Sequence, residues 1–248
     1  MAALCLRCYN NWVRYRSLHP WDVSPSQARE TQSHLASQVS LTSDLQGPPR
    51  LVAGLDLSPP GRDGVALGAV VVVQLPGLEL VEVRTARREV RFPYIPGLLS
   101  FREAPALLAA LERVTLEPDL LIVDGHGLAH PRRFGLACHI GLLTEKPTVG
   151  CAKSILVGSH EELGPEAGAW VELVDKGSIV GAAVRTRASV SPVYVSSGHR
   201  VTLEEAVHLV VACCRGHRVP EPTRLAHEAA ACRLPEREPA PAVLGAEA

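Results

Sequence analysis

Hydrophobic residues along this chain follow two spacings, and the change between them divides it into strands and helices. Leu51–Leu57 and 64–75 are nearly continuous apolar runs rich in valine, the pattern of strands covered on both faces. Pro59-Pro60-Gly61-Arg62-Asp63-Gly64 supplies the turn between them, and after Pro76-Gly77 a third run covers 78–84. Three strands on short turns predict an antiparallel meander. Ahead of it, Ser24 or Ser26 opens a helix through Val39 with Ala28, Leu35 and Ala36 on a modest apolar face. Beyond residue 100 the period becomes helical. A helix opening at Ser100 or Phe101 carries Leu107, Leu108 and Leu111 in one stripe, and Leu120–Val123 follows as a short buried strand. A helix over 135–143, a strand over 147–152, extended segments at 179–185 and 193–196, and a helix over 203–214 behind Thr202 as N-cap continue the alternation. A meander followed by parallel βα units predicts an α/β fold, a mixed sheet flanked by helices.

The ends depart from this pattern. Residues 1–18 carry arginines and aromatics but no acid and read as a flexible leader, while 233–248, rich in Pro, Ala and Glu, read as a disordered tail. That leaves 19–232 as one domain, and 248 residues with 46% hydrophobic content suffice for one sizeable core. A formal net charge of -1 provides no general attraction for a polyanion. Contact with nucleic acid must then rest on local groups such as Arg84, Arg87, Arg88 and Arg91, or Arg132 and Arg133, or Arg185 and Arg187, each equally readable as an ordinary solvated face. No apolar run approaches the roughly 20 residues of a membrane span. Seven irregularly spaced cysteines without a signal peptide point to a reducing interior, the cytoplasm. Cys5 and Cys8 have zinc-knuckle spacing, but no second pair supplies the four ligands a structural zinc requires. With no surplus apolar surface to identify, a monomer is expected.

The run over 121–133 introduces chemistry. Its strand delivers Asp124 to a carboxyl end, where ligands collect in open α/β sheets, and passes into Gly125-His126-Gly127. Asp56 lies in Gly54-Leu55-Asp56-Leu57-Ser58, an otherwise apolar strand where an unpaired charge is costly. If the two strands are neighbours, Asp56 and Asp124 can share a hard cation, and without paired thiolates Mg²⁺ suits them better than zinc. His126 and His130 have the separation of a helical zinc pair, but the glycines around them argue against a helix. Bland readings stand beside each of these. An isolated Asp-Gly is most often a turn, Glu103 in a first helical turn favours the helix dipole, and Lys153 and His199 can be polar surface groups. Ser197 with His199 also raises a serine triad, against which stands the missing G-x-S-x-G pattern.

Segments in a fixed order decide among these readings. They are Gly54-Leu55-Asp56-Leu57-Ser58, then Pro93-Tyr94-Ile95-Pro96-Gly97-Leu98-Leu99-Ser100-Phe101-Arg102-Glu103, then Val123-Asp124-Gly125-His126-Gly127 with His130-Pro131-Arg132-Arg133. Gly150-Cys151-Ala152-Lys153, Ser197-Gly198-His199-Arg200 and Pro220-Glu221-Pro222-Thr223-Arg224 follow. Together they resemble the endonuclease V family, deoxyinosine-directed repair nucleases, over 19–232.

The resemblance implies a ribonuclease H-like fold and makes 19–232 a catalytic domain. It implies that Asp56, Glu103 and Asp124 bind Mg²⁺, with Mn²⁺ able to substitute, that His199 assists at the metal or the phosphate, and that Lys153 contacts the reacting backbone. Pro93-Tyr94-Ile95-Pro96 resembles the family's wedge, which enters the duplex at the lesion; the prolines stiffen it and Tyr94 offers a flat stacking face. Gly97, Leu98, Gly125 and His130 are candidates for the pocket of the displaced hypoxanthine. The implied reaction cuts the second phosphodiester 3′ to the lesion and leaves 3′-hydroxyl and 5′-phosphate ends. Deoxyinosine-containing DNA is the implied partner. Inosine-containing single-stranded RNA is the alternative within this class, and a catalytically inert nucleic-acid-binding protein of the same fold is the alternative outside it. The chain departs from the family pattern at Pro59-Pro60 and at Ser154, where the family often has a second lysine.

Overall fold

The computed structural model describes residues 14–240. In chain order the elements are α1 (Pro25–Ala36), β1 (Leu51–Leu57), β2 (Val65–Gln74), β3 (Glu79–Glu89), α2 (Leu99–Leu111), β4 (Leu120–Val123), α3 (Leu136–Thr144) and β5 (Thr148–Ala152). They continue with β6 (Trp170–Asp175), β7 (Ser178–Val184), β8 (Val193–His199), α4 (Leu203–Ala212) and α5 (Glu221–Ala230). The strands form one sheet in the order β3-β2-β1-β4-β5-β8-β7-β6. β1, β2 and β3 pair antiparallel, as the meander predicts, and β1, β4 and β5 pair parallel. This is the expected α/β architecture, with one difference of extent. The parallel stretch ends at β5, because β8 and then β7 and β6 pair antiparallel, joined through the loop 153–169 and two shorter turns and not through a crossover helix.

Each strand splits its side chains between two apolar layers, since neighbours along a strand point to opposite faces. Ala53 and Leu55 of β1, with Leu121 and Val123 of β4, meet Leu107, Leu108 and Leu111 of α2 and Ile140 of α3. Val52 of β1, with Leu120 and Ile122 of β4, meets Val207 and Val210 of α4 and Ala226 and Ala229 of α5 on the other face. α5 approaches β1 closely at Gly54, where an added Cβ would stand 2.1 Å from the Pro222 carbonyl carbon. Capping boxes open α1 (Ser24 with Gln27) and α4 (Thr202 with Glu205).

Four expectations require revision. β3 runs on to Glu89, which puts Arg84, Arg87 and Arg88 on an edge strand, and β8 runs on to His199, so that this histidine belongs to a strand and not to a loop. β6 and α5 carry no clear sequence signal: β6 is a partly exposed edge strand, and Pro220-Glu221-Pro222 reads as loop punctuation although proline is well tolerated in a first helical turn. The tail is ordered where it is described. Arg237 exchanges backbone hydrogen bonds of 3.0 and 3.1 Å with Val83, Glu236 holds Arg113 and Thr85, and Glu238 holds Arg84, so acidic residues cover a basic sheet edge. In the leader, Arg16 N–H donates to Leu143 O at 2.8 Å and Leu18 packs against the cores. Residues 1–13 and 241–248 lie outside the described residues. Among those described, no helix is long and apolar enough to cross a membrane.

Candidate active site

The parallel pairing of β1 with β4 sets the geometry. Leu55 is in register with Val123, and Asp124 N–H donates to Leu55 O at 3.1 Å, so Asp56 and Asp124 stand side by side where the two strands end. β5 lies next to β4, and Lys153, just past its last residue, places its Nζ on Asp124 Oδ2. Glu103 reaches the same place from the second turn of α2, one turn further along than the helix start at Ser100 or Phe101 predicts. A side chain from α5 completes the group: His227 Nδ1 lies 2.8 Å from Asp56 Oδ2.

Charge is concentrated here. Burial, then the charges of Asp56 and Asp124, push the Glu103 carboxyl up to about 8. Burial, then Asp124, raises Asp56 as well, against the hydrogen bonds from His227 and the Leu57 N–H. Burial alone would lower Lys153, but the neighbouring Asp124 carboxylate reverses this and its pKa is raised. Three carboxylates whose mutual repulsion Lys153 and His227 offset only in part match the demands of a hard divalent cation. Among the described residues no three metal-ligating side chains converge on one point, because Lys153 engages Asp124 and His227 engages Asp56. A cation bound here would compete with these two contacts.

Beside the carboxylates lies a cavity of about 290 Å³ that runs from Tyr94 to Asp124 and Lys153. Tyr94 is 71% exposed at its rim, with Ile95 and Pro96 in the wall and Pro93 exposed outside it. Gly97, Gly125 and His130 line it. Leu98 does not. It is fully buried with Ala28, Phe92 and Phe101, because the turn before α2 directs it inward, and Leu99 takes the lining position. Gly97 O accepts from His130 Nε2 at 2.9 Å and from Arg132 Nη2 at 2.5 Å, which ties the segment 93–97 to the loop after β4.

His130 stays neutral to unusual acidity, since burial, against the bond to Gly97 O, lowers its pKa to about 4. A histidine depressed in the fold contributes stability that is complete above its unfolded pKa, near 6.5, and lost as pH falls toward 4. His130→Gln should therefore flatten the acid limb of stability, removing about 2 kcal/mol of the difference between pH 7.5 and pH 5. Urea denaturation at both pH values measures this, and an unchanged limb would contradict the assignment.

His199 is not at this site. β8 runs antiparallel to β5 and pairs Tyr194 with Ala152 but His199 with Thr148, so His199 sits at the opposite end of β5 from Lys153, about 16 Å along the strand. There its Nδ1 accepts from Ser40 N–H at 3.2 Å, and Glu145 lies 4.0 Å from its Nε2. Sequence reasoning missed His227, for a lone histidine in the last turn of an unrecognised helix offers no spacing signal. The quoted segment Pro220 to Arg224 stops just short of it. His227→Ala should lower cleavage by about tenfold or more, through the freed Asp56 carboxylate, whereas His199→Ala should change cleavage less than twofold and cost about 1–2 kcal/mol of stability. Paired single-turnover rates and melting curves separate the two, and the reverse outcome would return His199 to the site.

A mixed sheet with carboxylates on adjacent parallel strand ends, a third on the overhanging helix and a lysine beside them defines a metal-dependent nuclease of ribonuclease H-like fold. A sequence profile for endonuclease V matches residues 33–228. The chain belongs to the endonuclease V family. It is 54% identical over 207 residues to the endonuclease V of Roseiflexus sp. (strain RS-1), covering 84% of this chain and 92% of that protein. The crystal structure of endonuclease V from Streptomyces avermitilis matches with a TM-score of 0.81 at 41% identity, over 89% of this chain and 96% of that one. Ciona intestinalis endonuclease V, crystallised with a 24mer DNA containing an inosine followed by a ribo-adenosine, matches with a TM-score of 0.71 at 26% identity, over 84% of this chain and 96% of that one.

Proposed function

We propose that this endonuclease acts on DNA containing deoxyinosine and hydrolyses the second phosphodiester 3′ to the lesion with Mg²⁺, leaving 3′-hydroxyl and 5′-phosphate ends. The supporting observation is the single cavity that joins the Tyr94 wedge to Asp124 and Lys153. A base turned out of its stack has a shaped, partly apolar place to enter, while the strand beyond it passes the carboxylates. Recognition and cleavage are thereby offset along the strand. Asp56, Glu103 and Asp124 would hold the cation, Mg²⁺ or Mn²⁺ by the all-oxygen donor set. When bound, the cation screens the phosphate oxygens and activates water for in-line attack. Lys153 moves from Asp124 to the scissile phosphate, neutralising charge as it develops. His227 orients Asp56 through its ring nitrogen, and Tyr94 fills the gap left by the displaced base.

Inosine in single-stranded RNA is a second reading, favoured by the ribo-adenosine that follows inosine in the DNA bound by the Ciona protein. A soluble cytoplasmic monomer fits either reading. Cleavage of matched deoxyinosine DNA and inosine RNA, with Mg²⁺, with Mn²⁺ and with chelator, tests both. Metal-dependent cutting of the DNA supports the first reading, and cutting of the RNA alone supports the second. Binding to either without cutting would leave an inert nucleic-acid-binding protein.

A further inference from the structure

Two histidines line the cavity, and only one has a ring nitrogen left for a ligand. His130 is committed at both nitrogens: Nε2–H donates to Gly97 O at 2.9 Å, and Nδ1 accepts from Arg132 N–H at 3.1 Å. It frames the pocket. His126 uses one nitrogen, its Nε2–H donating to Ser154 O at 2.9 Å. That bond fixes the tautomer and leaves Nδ1 as a lone-pair acceptor. Nδ1 has no protein partner and is not among the sealed, unpartnered atoms of the described residues, so it is an accessible acceptor on a ring that lines the cavity.

The backbone carrying this ring is held on several sides. His126 O accepts from Ala137 N–H at 3.0 Å, and Gly127 N–H donates to Ser196 Oγ at 2.9 Å. Gly135 lies so close that an added Cβ would stand 2.2 Å from His126 O. A polar atom fixed in this way discriminates between ligands, because it cannot retreat from one that fails to match it. Hypoxanthine and adenine differ at this edge. Hypoxanthine carries a hydrogen on N1, whereas adenine presents a lone pair there.

We propose that His126 is a specificity-determining residue, its Nδ1 accepting the N1–H of the displaced hypoxanthine and meeting the N1 lone pair of adenine with repulsion. The assignment rests on the deoxyinosine reading above and adds the atom that carries it. Direct contact to the base sets His126 apart from His130, which shapes the pocket through Gly97.

Equilibrium binding by fluorescence anisotropy, in chelator, tests it with three oligonucleotides that differ at one position: deoxyinosine, deoxynebularine, which lacks both N1–H and O6, and deoxyadenosine. The full chain is compared with His126→Ala and His126→Gln. Glutamine keeps one donor and one acceptor, and neither change opens a core cavity because the ring is only part-buried. His126→Ala should weaken deoxyinosine binding about tenfold and leave deoxynebularine binding unchanged or tighter, since its N1 lone pair meets the ring as that of adenine does. His126→Gln should keep deoxyinosine binding within about threefold of the native protein, and it carries the test if the alanine variant does not melt cooperatively. Equal losses on deoxyinosine and deoxynebularine would show that the ring only supports the loop at Ser154, and no loss on either would show that it is idle; both overturn the assignment alone. Native protein that binds deoxyinosine no more tightly than deoxyadenosine overturns the deoxyinosine reading, and this assignment with it.

Discussion

Asp124→Asn is expected to lower metal-dependent strand cleavage by on the order of 10³ while leaving the fold intact. Asparagine keeps the shape of the side chain, and the backbone bond from residue 124 to Leu55 O does not involve it. What disappears is the carboxylate charge, and with it a metal ligand and the ion pair with Lys153. The fold should not suffer for it. Asp124 is among the charges that push Glu103 up to about 8, so its neutralisation relieves repulsion in the metal-free protein. Melting temperature at pH 8 without metal should be unchanged or higher, while single-turnover cleavage collapses. Cleavage within tenfold of the native rate would remove Asp124 from the metal site, and a large fall in melting temperature would give it a structural role instead.

The second large effect is mechanical. Gly54→Ala should destabilise the protein by more than about 3 kcal/mol, because the new methyl would meet backbone and not a side chain that can turn away. At Gly54 an added Cβ would stand 2.1 Å from Pro222 C, 2.2 Å from Pro222 O and 2.5 Å from Thr223 N. α5 must then lift from β1, and His227 leaves Asp56 with it. A melting temperature lowered by roughly 6–12 °C, accompanied by a loss of cleavage that added metal does not restore, is the expected result. A variant as stable as the native chain would show that α5 can slide without consequence, and the link between Gly54 and His227 would fail.

The two substitutions act on different kinds of information. Asp124 was recognisable from its neighbourhood, because a carboxylate at the end of an apolar strand, followed by a glycine-bearing loop, has few uses without a cation. Asp56 was recognisable for a similar reason, as a charge inside an apolar strand. Glu103 was not, since an acid in a first helical turn is ordinary; only the family resemblance marked it, and only the fold shows α2 bringing it over the ends of β1 and β4. Gly54 carried no mark of its own as the contact point of a helix some 170 residues later in the chain.

The misplacement of His199 has the same origin. A histidine after an apolar run resembles Asp124 locally, and in a parallel strand it would arrive at the same end of the sheet. β8 runs the other way, which hydrophobic spacing cannot reveal, since a strand reads alike in either direction. α5 was concealed for a different reason, Pro220 and Pro222 that mask its start, and His227 with it.

By itself, then, the sequence determined the elements with strong periodicity, the meander from β1 to β3, the acidic ends of β1 and β4, and the family. These follow from side-chain chemistry and spacing within a few residues, which are local properties of the chain. Tertiary structure alone decided strand direction beyond β5, the exchange of His199 for His227, the inward turn of Leu98, the docking of Glu236 and Glu238 on the β3 edge, and which nitrogen of His126 the bond to Ser154 O leaves free. Each of these depends on groups distant in sequence competing for one place in space, and that competition is settled only when the sheet and its helices have packed.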